Sequence, residues 1–105
     1  MNSLNPLPPF HHLKRTMPAM AALSNLGQAV QEALSDSKID QENLQGKNIA
    51  LTVGSRGIAN LPLLVRAVGE WLKASGARPF IVPSMGSHGG ATPAGQQKVL
   101  AEYGI

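Results

Sequence analysis

Two short glycine-rich segments hold the side chains in this chain best suited to chemistry. Gly54-Ser55-Arg56-Gly57 sets a hydroxyl and a guanidinium between two glycines, and Gly86-Ser87-His88-Gly89-Gly90 sets a hydroxyl and an imidazole among three. Histidine is the side chain whose ordinary titration lies nearest neutral pH, so His88 can take or give a proton there. The planar donor fork of Arg56 matches phosphate or carboxylate. Ser55 and Ser87 can each donate to the same kind of oxygen. The flanking glycines let backbone, and hence a ligand, come close. The chemistry these residue types could perform is capture of an anionic ligand beside an acid/base group.

Each segment follows a short apolar run. Ile49-Ala50-Leu51-Thr52-Val53 is compact and partly β-branched, and residues 79–85 form a second run entered through Pro79; both read as strands. Between them Leu61, Leu64, Val65, Val68 and Leu72 recur at helical spacing, with Asn60 as the expected N-cap, Pro62 in the first turn and Ser75-Gly76 as the stop. Thr92-Pro93 opens a further helix with an apolar face of Val99, Leu100 and Tyr103, ended by Gly104. Strand, helix, strand, helix predicts a Rossmann-like βαβα unit of α/β class with parallel strands. Parallel sheets normally carry helices on both faces, so this unit reads as half of a larger doubly wound domain. Parallel strands also send both glycine-rich loops to one edge of the sheet, each running toward a helix N-terminus that favours an anion. That edge is where open α/β sheets bind ligands.

The N-terminal part is organised differently. Residues 1–17 read as an extended, proline-rich arm, with Phe10 to Leu13 a candidate edge strand. From Pro18 the spacing of Met20, Leu23, Leu26, Val30 and Leu34 predicts a helix with Pro18 in its first turn, so the domain is taken as 18–105. Asp40 suits the cap of one short turn and Gly46 the approach to the first strand. His11 and His12 are adjacent in the arm and point to opposite sides of an extended chain, so no metal site is assigned to them. Trp71 beside the buried stripe reads as packing.

Composition removes several classes. The chain has 105 residues, enough for one domain, and no cysteine, so it offers no disulfide, thiolate nucleophile or cysteine-based zinc site. Its net charge of +3 comes from scattered Lys and Arg, which argues against nucleic acid. No apolar run approaches the roughly 20 residues of a membrane span, and Met1 to Phe10 lacks the pattern of a signal peptide. A cytoplasmic location is the expectation. Neither glycine cluster spells G-x-G-x-x-G, and no lysine follows a glycine run as in a P-loop.

Val53-Gly54-Ser55-Arg56-Gly57-Ile58-Ala59-Asn60 and Gly86-Ser87-His88-Gly89-Gly90-Ala91-Thr92, in that order and at that separation, resemble the N-terminal domain of the nickel-dependent lactate racemase family. The resemblance runs from about Pro18 to Ile105. It implies a two-domain α/β enzyme with a nickel pincer nucleotide in its cleft. It further implies that Ser55 and Arg56 bind the cofactor's phosphate, that Gly57, Gly86 and Ser87 complete the cofactor-binding set, and that His88 is one of two proton-transferring histidines. In the family's chemistry a histidine takes the hydroxyl proton of a 2-hydroxy acid while hydride leaves the α-carbon for the cofactor and returns to the other face. This sequence departs from the lactate racemase pattern Asp-x-Thr-Arg-Pro, having Val53, Ser55 and Gly57 at the acid, threonine and proline. It also has Gly89-Gly90 where Arg-Pro follows the histidine there. The lysine that links the cofactor, the nickel-ligating histidine and the second catalytic histidine have no counterpart before Ile105, so the chain alone is expected to be inactive. Its expected partners are a small 2-hydroxy acid in the full enzyme and a C-terminal domain or a second copy. The alternatives are a non-catalytic phosphate- or nucleotide-binding module, and a structural domain that pairs its sheet edge with another chain.

Overall fold

The computed structural model describes residues 6–105. It is a small mixed α/β structure with three α-helices and one two-stranded parallel sheet. In chain order the elements are α1 (Leu26–Ser35), a 3₁₀ turn at Glu42–Leu44, β1 (Asn48–Val53), α2 (Leu61–Ala74), β2 (Arg78–Pro83), a second 3₁₀ turn at His88–Ala91, and α3 (Pro93–Glu102). No helix among the described residues is long and apolar enough to cross a membrane.

β1 and β2 pair in parallel from Asn48 opposite Arg78 to Val53 opposite Pro83. Side chains alternate across a strand, and β1 follows the rule: Ile49, Leu51 and Val53 are covered, whereas Asn48, Ala50 and Thr52 are exposed. The covered side meets the helices in two apolar clusters. Trp71, Leu72 and Ala77 form one, with Leu34, Leu44, Ile49, Leu51 and Val68 packed around them. Val53, Met85 and Leu100 form the other, with Leu61, Val65, Val99 and Ile105 against it. This second cluster lies under the carboxyl ends of the strands. Val53 and Met85 immediately precede Gly54 and Gly86, so both loops spring from buried anchors. Burying one such side chain contributes about 1.5–3 kcal/mol.

Several expectations from the sequence change. The first helix begins at Leu26, not near Pro18, because Asn25 leaves the helical region and its side chain accepts from the Gln28 N–H at 3.0 Å. Met20 and Leu23, which fit the helical spacing, are exposed and have no surface to bury against; periodicity without a partner did not propagate the helix. Phe10 to Leu13 forms no strand, and Phe10 and Leu13 are exposed. Of the arm assigned to residues 1–17, the first five lie outside the described residues. Asn60 does not cap α2 through its side chain. It sits in the left-handed region at φ 57°, and only its carbonyl serves the helix, accepting from the Leu64 N–H at 3.2 Å. The second strand spans Arg78–Pro83 rather than 79–85. Tyr103 is half-exposed, so Val99 and Leu100 carry the packing of α3.

Asp40 does serve its short turn, with Oδ1 accepting from the Glu42 N–H at 3.1 Å. Gly46 and Gly104 take the positive φ that such punctuation needs. Trp71 is 4% exposed, as packing requires.

Leu100 and Met20 should therefore respond differently to truncation. Leu100→Ala is expected to lower unfolding stability by about 2–4 kcal/mol, and Met20→Ala to change it by less than about 0.5 kcal/mol. Urea denaturation of the two variants checks this, and equal effects would show that the packing just described is wrong.

A candidate anion and proton-transfer site

Ladder geometry brings the two loops together. Beyond the last strand pair, the Ser84 N–H still donates to the Val53 carbonyl at 2.8 Å, so both chains leave the sheet side by side. The His88 N–H then donates to the Met85 carbonyl at 3.3 Å and turns the second loop back. The turn brings the imidazole against the first loop. Ser55 Oγ is hydrogen-bonded to His88 Nδ1. Arg56 Nε donates to His88 Nε2 at 2.8 Å, and Arg56 Nη2 meets the same nitrogen. Ser55 and His88 are half-buried, and Arg56 is exposed.

Hydrogen-bond arithmetic fixes the protons within this trio. A guanidinium only donates, so Nε2 offers its lone pair and carries no hydrogen. In a neutral imidazole the proton then sits on Nδ1, and Nδ1–H donates to Ser55 Oγ. A serine that accepts from histidine is not being deprotonated by it, so this pair is not the activated nucleophile of a serine hydrolase. The Ser55 hydroxyl hydrogen remains free for another acceptor.

The other residues expected in the site surround this trio. Gly57 (φ 79°) and Gly86 (φ 62°) are left-handed, and a side chain added at either would meet open space. Ser87 is exposed one residue before His88. Thr92 caps α3 by accepting from the Gly95 N–H at 3.1 Å, so that donor is used within the helix rather than offered to a ligand.

What sequence reasoning missed is the support behind His88. Gly89, Gly90 and Ala91 take three successive left-handed conformations, with φ of 61°, 66° and 57°. Thr92 Oγ1 donates to the Gly89 carbonyl at 3.2 Å. Gln96 Nε2 donates to the Gly86 carbonyl at 2.8 Å. Gly89 and Gly95 lie backbone to backbone: a Cβ on Gly95 would stand 2.7 Å from the Gly89 carbonyl carbon and collide with its oxygen. The available signal was a glycine in the first turn of a helix, where alanine would be better by about 1 kcal/mol unless packing forbids it.

A separate groove lies away from these loops. It encloses about 480 Å³ over the helix-covered side of the sheet, among Leu51, Val65, Ile81 and Ile105, and none of Ser55, Arg56 or His88 lines it. Volume favours the groove, but convergent donors and an acid/base group favour the loops as the candidate site. Among the described residues no three His, Cys, Asp or Glu cluster as a metal site, and His11 and His12 are exposed in the arm.

No protein-family model, curated protein or solved structure matches this chain.

The backbone contact behind His88 gives a direct expectation. Gly95→Ala should cost about 1–3 kcal/mol through overpacking, and it should broaden or shift the His88 imidazole signals in NMR spectra. A Gly95→Ala protein with wild-type stability and an unmoved His88 would remove this contact from the account of the site.

Proposed function

We propose that this chain is a Rossmann-like half of a doubly wound domain in a lactate-racemase-like isomerase of 2-hydroxy acids. Within it, the loops at Ser55 and His88 supply the cofactor-phosphate site and one acid/base histidine. The observation that supports this reading best is the meeting of Ser55, Arg56 and His88 across adjacent strand ends. An oxyanion within reach of Arg56 and the Ser55 hydroxyl would sit beside a proton-transferring imidazole. That is the juxtaposition a hydroxy-acid isomerase needs.

The residues present can be tested against a nickel pincer nucleotide. Its phosphate end fits, because Arg56, Ser55 and the open left-handed glycines Gly57 and Gly86 provide charge, a hydroxyl and room. Its nickel finds no ligand set among the described residues. When bound, such a cofactor supplies the acceptor for the hydrogen on the substrate's α-carbon. The chain's own part is to anchor phosphate and to move a proton at His88. Inverting a carbon centre calls for acid/base groups on two faces, and His88 is the one histidine at this site. The chain alone is therefore expected to be inactive, with a C-terminal domain or a second copy completing the site. The uncovered side of the sheet supports such a partner: Ala50 and Thr52 are exposed and Phe80 is 50% exposed, where parallel sheets usually carry another layer.

Arg56 must exchange partners for this to work. A phosphate is a far stronger acceptor for a guanidinium than a neutral imidazole nitrogen, so an arriving anion draws Arg56 from Nε2 and uncovers it. The contact of Arg56 with Nε2 also favours a second reading, in which the loops bind phosphate without catalysis and His88 only holds Arg56 in place.

Calorimetric titration with nicotinic acid mononucleotide, a stand-in for the phosphate half of the cofactor, tests both readings. The wild-type chain is expected to bind. Arg56→Ala should weaken binding about 10- to 100-fold, the loss of one charge-assisted contact of about 1.5–3 kcal/mol. His88→Ala should retain binding. A folded wild-type chain that binds no mononucleotide would sink both.

A further inference from the structure

The trio holds more information than an anion site with a base beside it, because Ser55 can face only one way at a time. With no anion, Arg56 occupies His88 Nε2 and thereby forces the proton onto Nδ1. Once an anion takes Arg56, that constraint disappears, and an imidazole free of partners can protonate at either nitrogen. Ser55 Oγ remains against Nδ1. If the Ser55 hydroxyl hydrogen goes to the anion, Ser55 has only lone pairs left to offer His88. It must then accept from Nδ1–H, and Nε2 stays free.

We propose that Ser55 is a positioning residue that relays anion binding to His88, holding it as the Nδ1–H tautomer so that Nε2 is the atom that transfers the proton. This rests on the anion-site reading above and adds the identity of the working nitrogen. The proton step balances simply. The Nε2 lone pair takes the proton of a substrate hydroxyl, the O–H bond breaks, and the imidazolium formed keeps its Nδ1–H bond to Ser55. Ser55 therefore serves the base before and after transfer, without itself touching the reacting atoms. The common pattern by which a partner on one ring nitrogen sets the function of the other applies here with a hydroxyl in place of a carbonyl or carboxylate.

The supporting geometry is specific to this residue. Ser55 is half-buried, whereas Ser87 and Arg56 are exposed. The backbone on either side of His88 is anchored through Gly89 on Gly95 and Gln96 on Gly86, which fixes the loop that presents the ring to Ser55. His11 and His12, exposed in the arm, provide an internal reference for an unconstrained imidazole.

The test is one- and two-bond ¹H–¹⁵N correlation spectroscopy on the full chain, uniformly ¹⁵N-labelled, at about pH 8, above the ordinary imidazole range. Inorganic phosphate is titrated against chloride at equal ionic strength. Amide shifts of Arg56 and Gly57 report binding, and the imidazole nitrogens report the tautomer. In wild type, His88 should show protonated Nδ1 and bare Nε2 both without and with phosphate, with Nε2 shifting as Arg56 leaves. Ser55→Ala should bind phosphate more weakly, through Arg56, and, once saturated, show the tautomer mixture of His11 and His12. Ser55→Thr, which keeps the hydroxyl, should restore the Nδ1–H form. Phosphate binding with an unchanged tautomer in Ser55→Ala, or with Nε2–H in wild type, overturns the relay and leaves the anion site standing. Absence of any phosphate response in Arg56 and Gly57 overturns the anion site and the relay together.

Discussion

The structure depends on the packing of Val53, Met85 and Leu100 beneath the carboxyl ends of two parallel strands. Two strands alone make a marginal sheet, and hydrogen bonds between them contribute only about 1 kcal/mol each after water is displaced. The apolar contact makes the pairing persist, because α3 presses Leu100 against the last residue of β1 and the residue that opens the second loop. Since Val53 precedes Gly54 and Met85 precedes Gly86, the same contact fixes where each loop departs. The geometry of the edge is thus inherited from core packing rather than built by the loops themselves.

The second loop carries a backbone that is costly on its own. Three successive left-handed residues, one of them Ala91, cannot be held by local preference, since a non-glycine residue there costs about 1–2 kcal/mol. The backbone contact of Gly89 with Gly95 and the two side-chain tethers from Thr92 and Gln96 offset that cost. Local strain repaid by surrounding contacts is common where a side chain must be held in one orientation. Here the side chain so held is His88.

The sequence made the order of elements legible because strands, helices and their stops were each marked by independent signals. Ile49 to Val53 alternates correctly, Thr92-Pro93 caps and starts α3, and the two glycine clusters fall at the strand ends. It misled where a pattern lacked a partner: Met20 and Leu23 repeat at helical spacing yet meet no apolar surface. Asn60 misled for another reason, since asparagine is favoured both as a cap and in left-handed turns, and spacing does not separate the two. In the site, residue types suggested an anion and a base, but not that Arg56 and Ser55 would grip opposite nitrogens of one ring. That fact depends on the residue-by-residue register of the two strands, which leaves no local mark, and on the Gly89–Gly95 contact, whose one trace is a glycine in the first turn of α3.

The two halves of the candidate site are held with unequal firmness, and that inequality suits the proposed chemistry. His88 is pinned through its own loop onto α3, whereas Arg56 is exposed on a short loop between glycines. Exposed charged side chains form contacts worth only about 0–1 kcal/mol, so the hold of Arg56 on Nε2 is weak enough to be exchanged for a phosphate. A base must be fixed to within a fraction of an ångström, while an anion clamp must open and close. Placing the imidazole on the braced loop and the guanidinium on the looser one meets both demands. Ser55, half-buried on the ring nitrogen opposite Arg56, is the residue that under the proposed relay keeps the imidazole in one form when Arg56 leaves.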